Sequence, residues 1–194
     1  MTTQFRCSFP GCDSIASISI GTIAGDRFVG HRWVCRQHRV NEESAVRSGS
    51  AIRAQEADCV SGFVPMELTY GVFDQATSRV NYFLSTFDRT RWLELAMEYG
   101  SASRIHEILH YDHAKLRSVH TSYLGLLKHF QCDLSRVSIT GSYHHEGYTV
   151  FDCVAEFSCL GTPLNIAMRV SEGISAALIA RCPLIVKEDL ALSS

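Results

Sequence analysis

The chain has 194 residues, 46% of them hydrophobic and 10% aromatic, which is enough to build a buried core and excludes a disordered polymer. Its 18 basic and 20 acidic residues leave a net charge of -2, so no long-range field draws it to nucleic acid or to an anionic membrane. No apolar run reaches the roughly 18 residues a membrane-spanning helix needs.

The first six residues, Met1 to Arg6, lack a charged start followed by an apolar stretch, so no secretory signal is expected and the cytoplasm is the expected compartment. In that setting the eight cysteines are expected to serve as metal ligands or as small buried apolar groups. Cys59, Cys132, Cys153, Cys159 and Cys182 share no spacing and are read as core filling.

Phe5 to Arg39 carries four potential ligands, spaced C-x4-C, a gap of 22 residues, then C-x2-H. Zinc takes four soft or borderline ligands at tetrahedral corners, about 2.3 Å away for sulfur and 2.0–2.1 Å for nitrogen. Phe9-Pro10-Gly11 offers the tight turn that lets Cys7 and Cys12 reach one ion. The gap alternates polar and apolar residues through Ser17, Ile18, Ser19 and Ile20, turns near Ala24-Gly25-Asp26, and resumes an extended pattern at Arg27-Phe28-Val29. A hairpin would carry the chain back, so that Cys35 and His38, on the first turn of a following helix, meet the first pair. His31 competes for the fourth position.

These residues resemble a treble-clef or zinc-ribbon finger, in particular the small C-x-x-P-G-C … W/Y-V-C-x-x-H modules of bacterial and phage proteins. The resemblance covers residues 5–40 and implies a structural Zn2+ held by Cys7, Cys12, Cys35 and His38. It implies contact with DNA, RNA or protein, without choosing among them. Arg27, Arg32, Arg36 and Arg39, with Trp33 and Phe28, would give the finger a basic surface able to touch nucleic acid. The expected organisation is a finger over residues 1–45, a polar linker over 46–62, and an α+β domain over 63–194.

The middle of the chain has helical periodicity. Phe73, Ala76, Val80, Phe83, Leu84 and Phe87 fit one stripe. Asp88 would cap a second helix, from Arg89 to Tyr99, ended by Gly100. Ser101 or Ser103 would start the next, over 104–131, with Ile105, Leu109, Asp112, Leu116, Val119, Tyr123, Leu126 and Phe130 on one face.

That last segment contains His106-Glu107-Ile108-Leu109-His110, an H-E-x-x-H. On a helix the two imidazoles lie one turn apart and can share a metal, with Glu107 as general base. It resembles the zincin metallopeptidase signature over these five residues only. His113 and His120 extend the ridge, so His106, His110 and His113 form an alternative second metal site. His144, His145 and Glu146 could join it only if the fold brought them near.

From Ser135 the period becomes two. Val137 and Ile139, then Phe151, Cys153, Ala155 and Phe157, then Leu164, Ile166, Met168 and Val170 define an antiparallel three-strand meander. Turns are expected at 144–147 and 159–162. Ser171 would cap a helix ending before Pro183, and Leu184-Ile185-Val186 would add an edge strand. The order helix, three strands, helix resembles a double-stranded-RNA-binding domain over 115–182, although Ser171 to Ala177 contains no basic residue. There is no G-x-S-x-G, P-loop or dinucleotide fingerprint.

The expected class is therefore α+β: a zinc finger, then helices, a three-stranded meander and a final helix. The expected function is a small intracellular regulator or inhibitor, phage-like by its finger, that binds a protein or a protein–nucleic acid complex and no membrane. The alternative is a zinc-dependent hydrolase using Glu107.

Overall fold

In the computed structural model, residues 6–24, 27–39, 60–74, 78–110 and 119–193 are described. A hairpin, β1 (Ile18–Ala24) and β2 (Arg27–Val34), leads to a 3-10 turn at Arg36–His38. Three strands follow: β3 (Phe63–Asp74), β4 (Arg79–Ser85) and β5 (Arg91–Glu98). Then come helices α1 (Tyr99–His110) and α2 (Val119–His129). Strands β6 (Cys132–His145), β7 (Tyr148–Cys159) and β8 (Thr162–Arg169) precede α3 (Val170–Ala180). Strand β9 (Leu184–Lys187) and the two-residue β10 (Leu192–Ser193) complete the fold.

The expected α+β class, with a helical middle and a sheet limited to three strands, is corrected. The described residues form one ten-stranded mixed sheet in the order β10-β5-β4-β3-β9-β6-β7-β8, with β1 and β2 joined to it through β3. Of residues 72–100, expected to be helical, 72–74, 79–85 and 91–98 are strand. Two facts hide the period of two in β3 and β4. Both faces of β3 and β4 carry apolar residues, because one large cluster lies under the helices and a second lies on the opposite face, whereas β5 alternates, with Leu93, Leu95 and Met97 buried and Glu94, Ala96 and Glu98 exposed. In addition, β3 bulges at Thr69: Leu68 pairs with Leu84, but Tyr70 pairs with Phe83. The extra residue reverses the alternation, so Leu68 joins the first cluster and Tyr70 the second. The bulge is held internally, with Thr69 Oγ1 and Ser85 Oγ 2.7 Å apart and both residues buried.

Asp88 does not cap a helix. It accepts hydrogen bonds from Thr86 Oγ1 at 2.6 Å and from Thr90 N at 3.1 Å, closing the β4–β5 turn. Gly100 lies in the first turn of α1 rather than ending a helix. The single helix expected over 104–131 is replaced by α1 and α2, with residues 111–118, including Asp112 and Leu116, outside the described residues. Its supposed common face also divides. Ile105 and Leu109 are buried, whereas Val119, Tyr123, Leu126 and Phe130 are exposed and Leu124 and Leu127 turn inward instead.

The β6-β7-β8 meander pairs antiparallel throughout, with two-residue turns at Glu146-Gly147 and Leu160-Gly161. In each turn both residues have positive φ, the pattern of a type I′ turn, which matches the twist of the flanking strands. Helix α3 begins at Val170, one residue before the expected cap, and Glu172 accepts from Arg169 N at 3.1 Å. Arg181 in the left-handed region ends it ahead of Pro183. β9 is not an edge strand: it lies between β3, antiparallel, and β6, parallel.

Cys132 and Cys159 stand directly opposite each other at the ends of β6 and β7 and form a disulfide, which corrects their reading as core-filling thiols. Cys153 is buried in the main cluster and Cys182 packs against it, while Cys59 lies outside the described residues. No described helix is long and apolar enough to cross a membrane.

Candidate metal centre and neighbouring cavities

The first pair of ligands sits on a loop that the hairpin anchors. Cys7 N donates to Ser14 O at 3.0 Å, and Ser8 N to Trp33 O at 2.7 Å. Between the cysteines the chain reverses through Phe9-Pro10-Gly11, where Gly11 has φ +77 and Cys12 N donates to Phe9 O at 3.1 Å. Positive φ at that position favours glycine. The register Ile18↔Val34 in β1–β2 delivers Cys35 to the same end. The 3-10 turn then swings His38 inward, with His38 N donating to Cys35 O at 3.1 Å.

The four donor atoms of Cys7, Cys12, Cys35 and His38 lie within 4.8 Å of one another. His38 Nδ1 is 3.5 Å from both Cys7 Sγ and Cys35 Sγ, and Cys12 Sγ is 3.9 Å from Cys35 Sγ. A tetrahedron with zinc-like bonds has edges of about 3.8 Å between sulfurs and about 3.6 Å from sulfur to nitrogen. The donor set therefore fits a metal ion of this kind. Phe9 stacks on the His38 ring, with centroids 4.0 Å apart and planes at 14°, which fixes the imidazole with Nδ1 toward the thiols. Burial pushes the Cys7 thiol up, whereas hydrogen bonds from Ser14, side chain first and then backbone, draw Cys12 down to about 7. Cys7 and Cys35 belong to the smaller apolar cluster with Ile18, Val34, Tyr70 and Phe83, so this centre is packed onto the main sheet. The side chain of His31, the competing ligand, is outside what is described. Arg36 pairs with Asp74 across 3.6 Å, which ties one cation of the expected basic surface to β3.

The H-E-x-x-H residues lie on α1. The His106 and His110 rings meet edge to face, centroids 4.2 Å apart. Glu107 turns toward Arg104 and accepts from its Nη1 at 2.8 Å. Among the described residues, the only group of three or more metal-binding side chains is the Cys3His set, and His113 lies outside them. His144, His145 and Glu146 sit exposed at the β6–β7 turn, where His145 Nε2 is 3.8 Å from Glu146 Oε1; they join no metal-binding group.

Two hollows were not foreseen from sequence. One is an open groove of about 900 Å3 whose lining includes Arg79, Glu98, Tyr148, Asp152, Arg169 and Glu172. The Arg79 guanidinium lies 4.8 Å from the centroid of the Tyr148 ring. The other is a cavity of about 260 Å3 between α1 and the β2-β1-β3-β4 face. Each draws its lining from four or more elements, so no local spacing announces it. A scan against protein-family models found no match, and no curated protein matches the chain.

Proposed function

We propose that the protein holds one structural zinc ion in the Cys7-Cys12-Cys35-His38 centre and works by binding another macromolecule, a protein or a protein–nucleic acid complex. The observation that carries the first part is the closed donor set: four protein ligands at tetrahedral spacing leave no position for a substrate. The groove supports the second part. Exposed Tyr143 and Tyr148 flank it beside Arg79 and Arg169, and tyrosine and arginine are the residues that most often anchor protein interfaces.

Elemental analysis of the purified protein tests the metal. One zinc per chain is expected, retained in the His106→Ala/His110→Ala double variant and lost in Cys35→Ser. Two zinc ions, one of them lost in the double variant, would overturn this reading in favour of a hydrolase built on Glu107. For the partner, Arg79→Ala/Tyr148→Ala is expected to abolish co-purification of a stoichiometric partner without altering zinc content. Retention on heparin at moderate salt separates a nucleic-acid-bearing partner from protein alone.

A further inference from the structure

The cavity under α1 is a built space. On β1 and β3, Gly21 and Gly71 are register partners, and neither places a side chain on the face that α1 covers. The bare backbone at Gly71 lets the Tyr82 ring lie against the sheet: a Cβ there would come within 2.9 Å of Tyr82 Cε1. Around these glycines stand Trp33, Phe73, Val80 and Tyr82, with Ala102 above them from α1. Ser19 and Tyr82, at the inner end, are buried, whereas Tyr99, His106 and His110 form a solvent-exposed mouth. The space thus has an aromatic interior, two buried hydroxyl-bearing residues, Ser19 and Tyr82, and two exposed histidines.

Among the described residues, no aspartate, glutamate, lysine or arginine lines it. Beyond the two rim imidazoles, a charged ligand entering would meet no described counter-charge for the hydration it gives up. The volume, about 260 Å3, falls just short of pockets for drug-sized ligands, which begin near about 300 Å3. One ring or a fused pair is the size that fits, and aromatic walls receive a flat ring in offset or edge-on contact.

We propose that this cavity binds a small uncharged aromatic compound of indole or phenol size, with the ring inside and a polar substituent at Ser19 or at the His106–His110 rim. The proposal is independent of the metal centre, which lies against the opposite apolar cluster.

The chain supplies an internal control. It has two tryptophans: Trp33 lines the cavity, and Trp92 sits in the opposite cluster with its Nε1 donating to Arg89 O at 2.9 Å. The full-length protein, zinc-replete, is titrated with 5-fluoroindole while both tryptophan indole N–H signals are followed by NMR. Saturable binding with a submillimolar Kd, a shift at Trp33 and none at Trp92 is expected. Ser103→Phe, which plugs the space from α1, is expected to weaken binding at least tenfold, and tryptamine and indole-3-acetate to bind at least tenfold more weakly than indole. Absence of saturable binding, equal shifts at both tryptophans, or equal affinity for the charged analogues would overturn the proposal. If the plugged variant does not fold, the Trp33-to-Trp92 contrast in the unsubstituted protein decides alone.

Discussion

Gly125 and Gly173 both lie within helices, and alanine would affect them in opposite directions. A Cβ on Gly173 would overlap Cys153 Sγ and approach Val137 Cγ1 to 3.1 Å, because α3 rests directly on β6 and β7 there. A Cβ on Gly125 would meet nothing within 4 Å. Gly173→Ala is therefore expected to destabilise the protein by about 1–3 kcal/mol through overpacking. Gly125→Ala is expected to stabilise it by about 0.5–1 kcal/mol by restricting the unfolded chain. Urea unfolding of both variants checks the pair, and two changes of the same sign would contradict these environments. The cysteines also divide by surroundings. Burial pushes Cys153 and Cys182 up to about 12, so neither should react with iodoacetamide at neutral pH until the protein unfolds. Peptide mapping after native alkylation reads this directly. Cys7, Cys12, Cys35 and His38 were legible as a set because short spacings and a turn constrain ligands locally. The bond between Cys132 and Cys159 was not, because it depends on the register of two strands whose Cys residues are 27 apart.

Between strands, turn chemistry and pairing decide what a substitution does. Hydrogen bonds from the Thr86 hydroxyl, then from Thr90, hold the Asp88 carboxyl below its ordinary range. A depressed carboxyl contributes stability above its unfolded pKa and loses it as pH falls through the folded value. Asp88→Ala should thus lower the Tm at pH 7 and leave it nearly unchanged at pH 2; an equal effect at both values would contradict the turn network. β9 offers a sharper test. Val186 is fully buried, opposite Val64 on one side and Ile139 on the other. Val186→Pro removes a ladder donor from a central strand and should cost about 3 kcal/mol or more, read by chemical denaturation. Which elements could be read from sequence follows from the same physics. The β7 and β8 residues alternate because one face is wet, β6 does so between its two bulges, and glycine marks both turns. In β3 and β4, apolar residues on both faces and the reversal at Thr69 mimic helical spacing, whereas β5 carries a period of two at Leu93, Leu95 and Met97 that the helical reading passes over. β9 is four residues long and its place between β3 and β6 is set by distant partners, so its own sequence could only suggest a strand.

At the scale of the whole molecule, the chain repeats itself. β3-β4-β5-α1 and β6-β7-β8-α3 are each an antiparallel meander followed at once by a helix. β3 runs antiparallel to β9 and β6 parallel to it, so the two units face each other across β9 in approximate two-fold relation, with α1 packed on α3. The hairpin with the metal centre is an addition to the first unit, joined by β1 to β3 and by shared apolar contacts to Tyr70, Val72 and Phe83. Removing the metal should therefore act on one side of the molecule. A chelator is expected to raise hydrogen exchange in Ile18–Ala24 and Arg27–Val34 first, while Tyr148–Cys159 stays protected. Uniform exchange across both units would contradict this division. Because contacts within each unit are local and those through β9 are not, each half can organise before the whole does.

The position of β9 has a consequence for how the protein is made. Among the described residues, no strand of the first unit pairs with a strand of the second; within the sheet β9 alone bridges them. On the ribosome, both units emerge before Leu184–Lys187 do. Until those four residues clear the exit tunnel, the nascent chain carries two partly formed halves whose facing edges, at Phe63–Met66 and Val137–Ile139, stay open to mispairing with other chains. The pairing of Leu184–Lys187 with both edges would be the step at which the halves become one sheet.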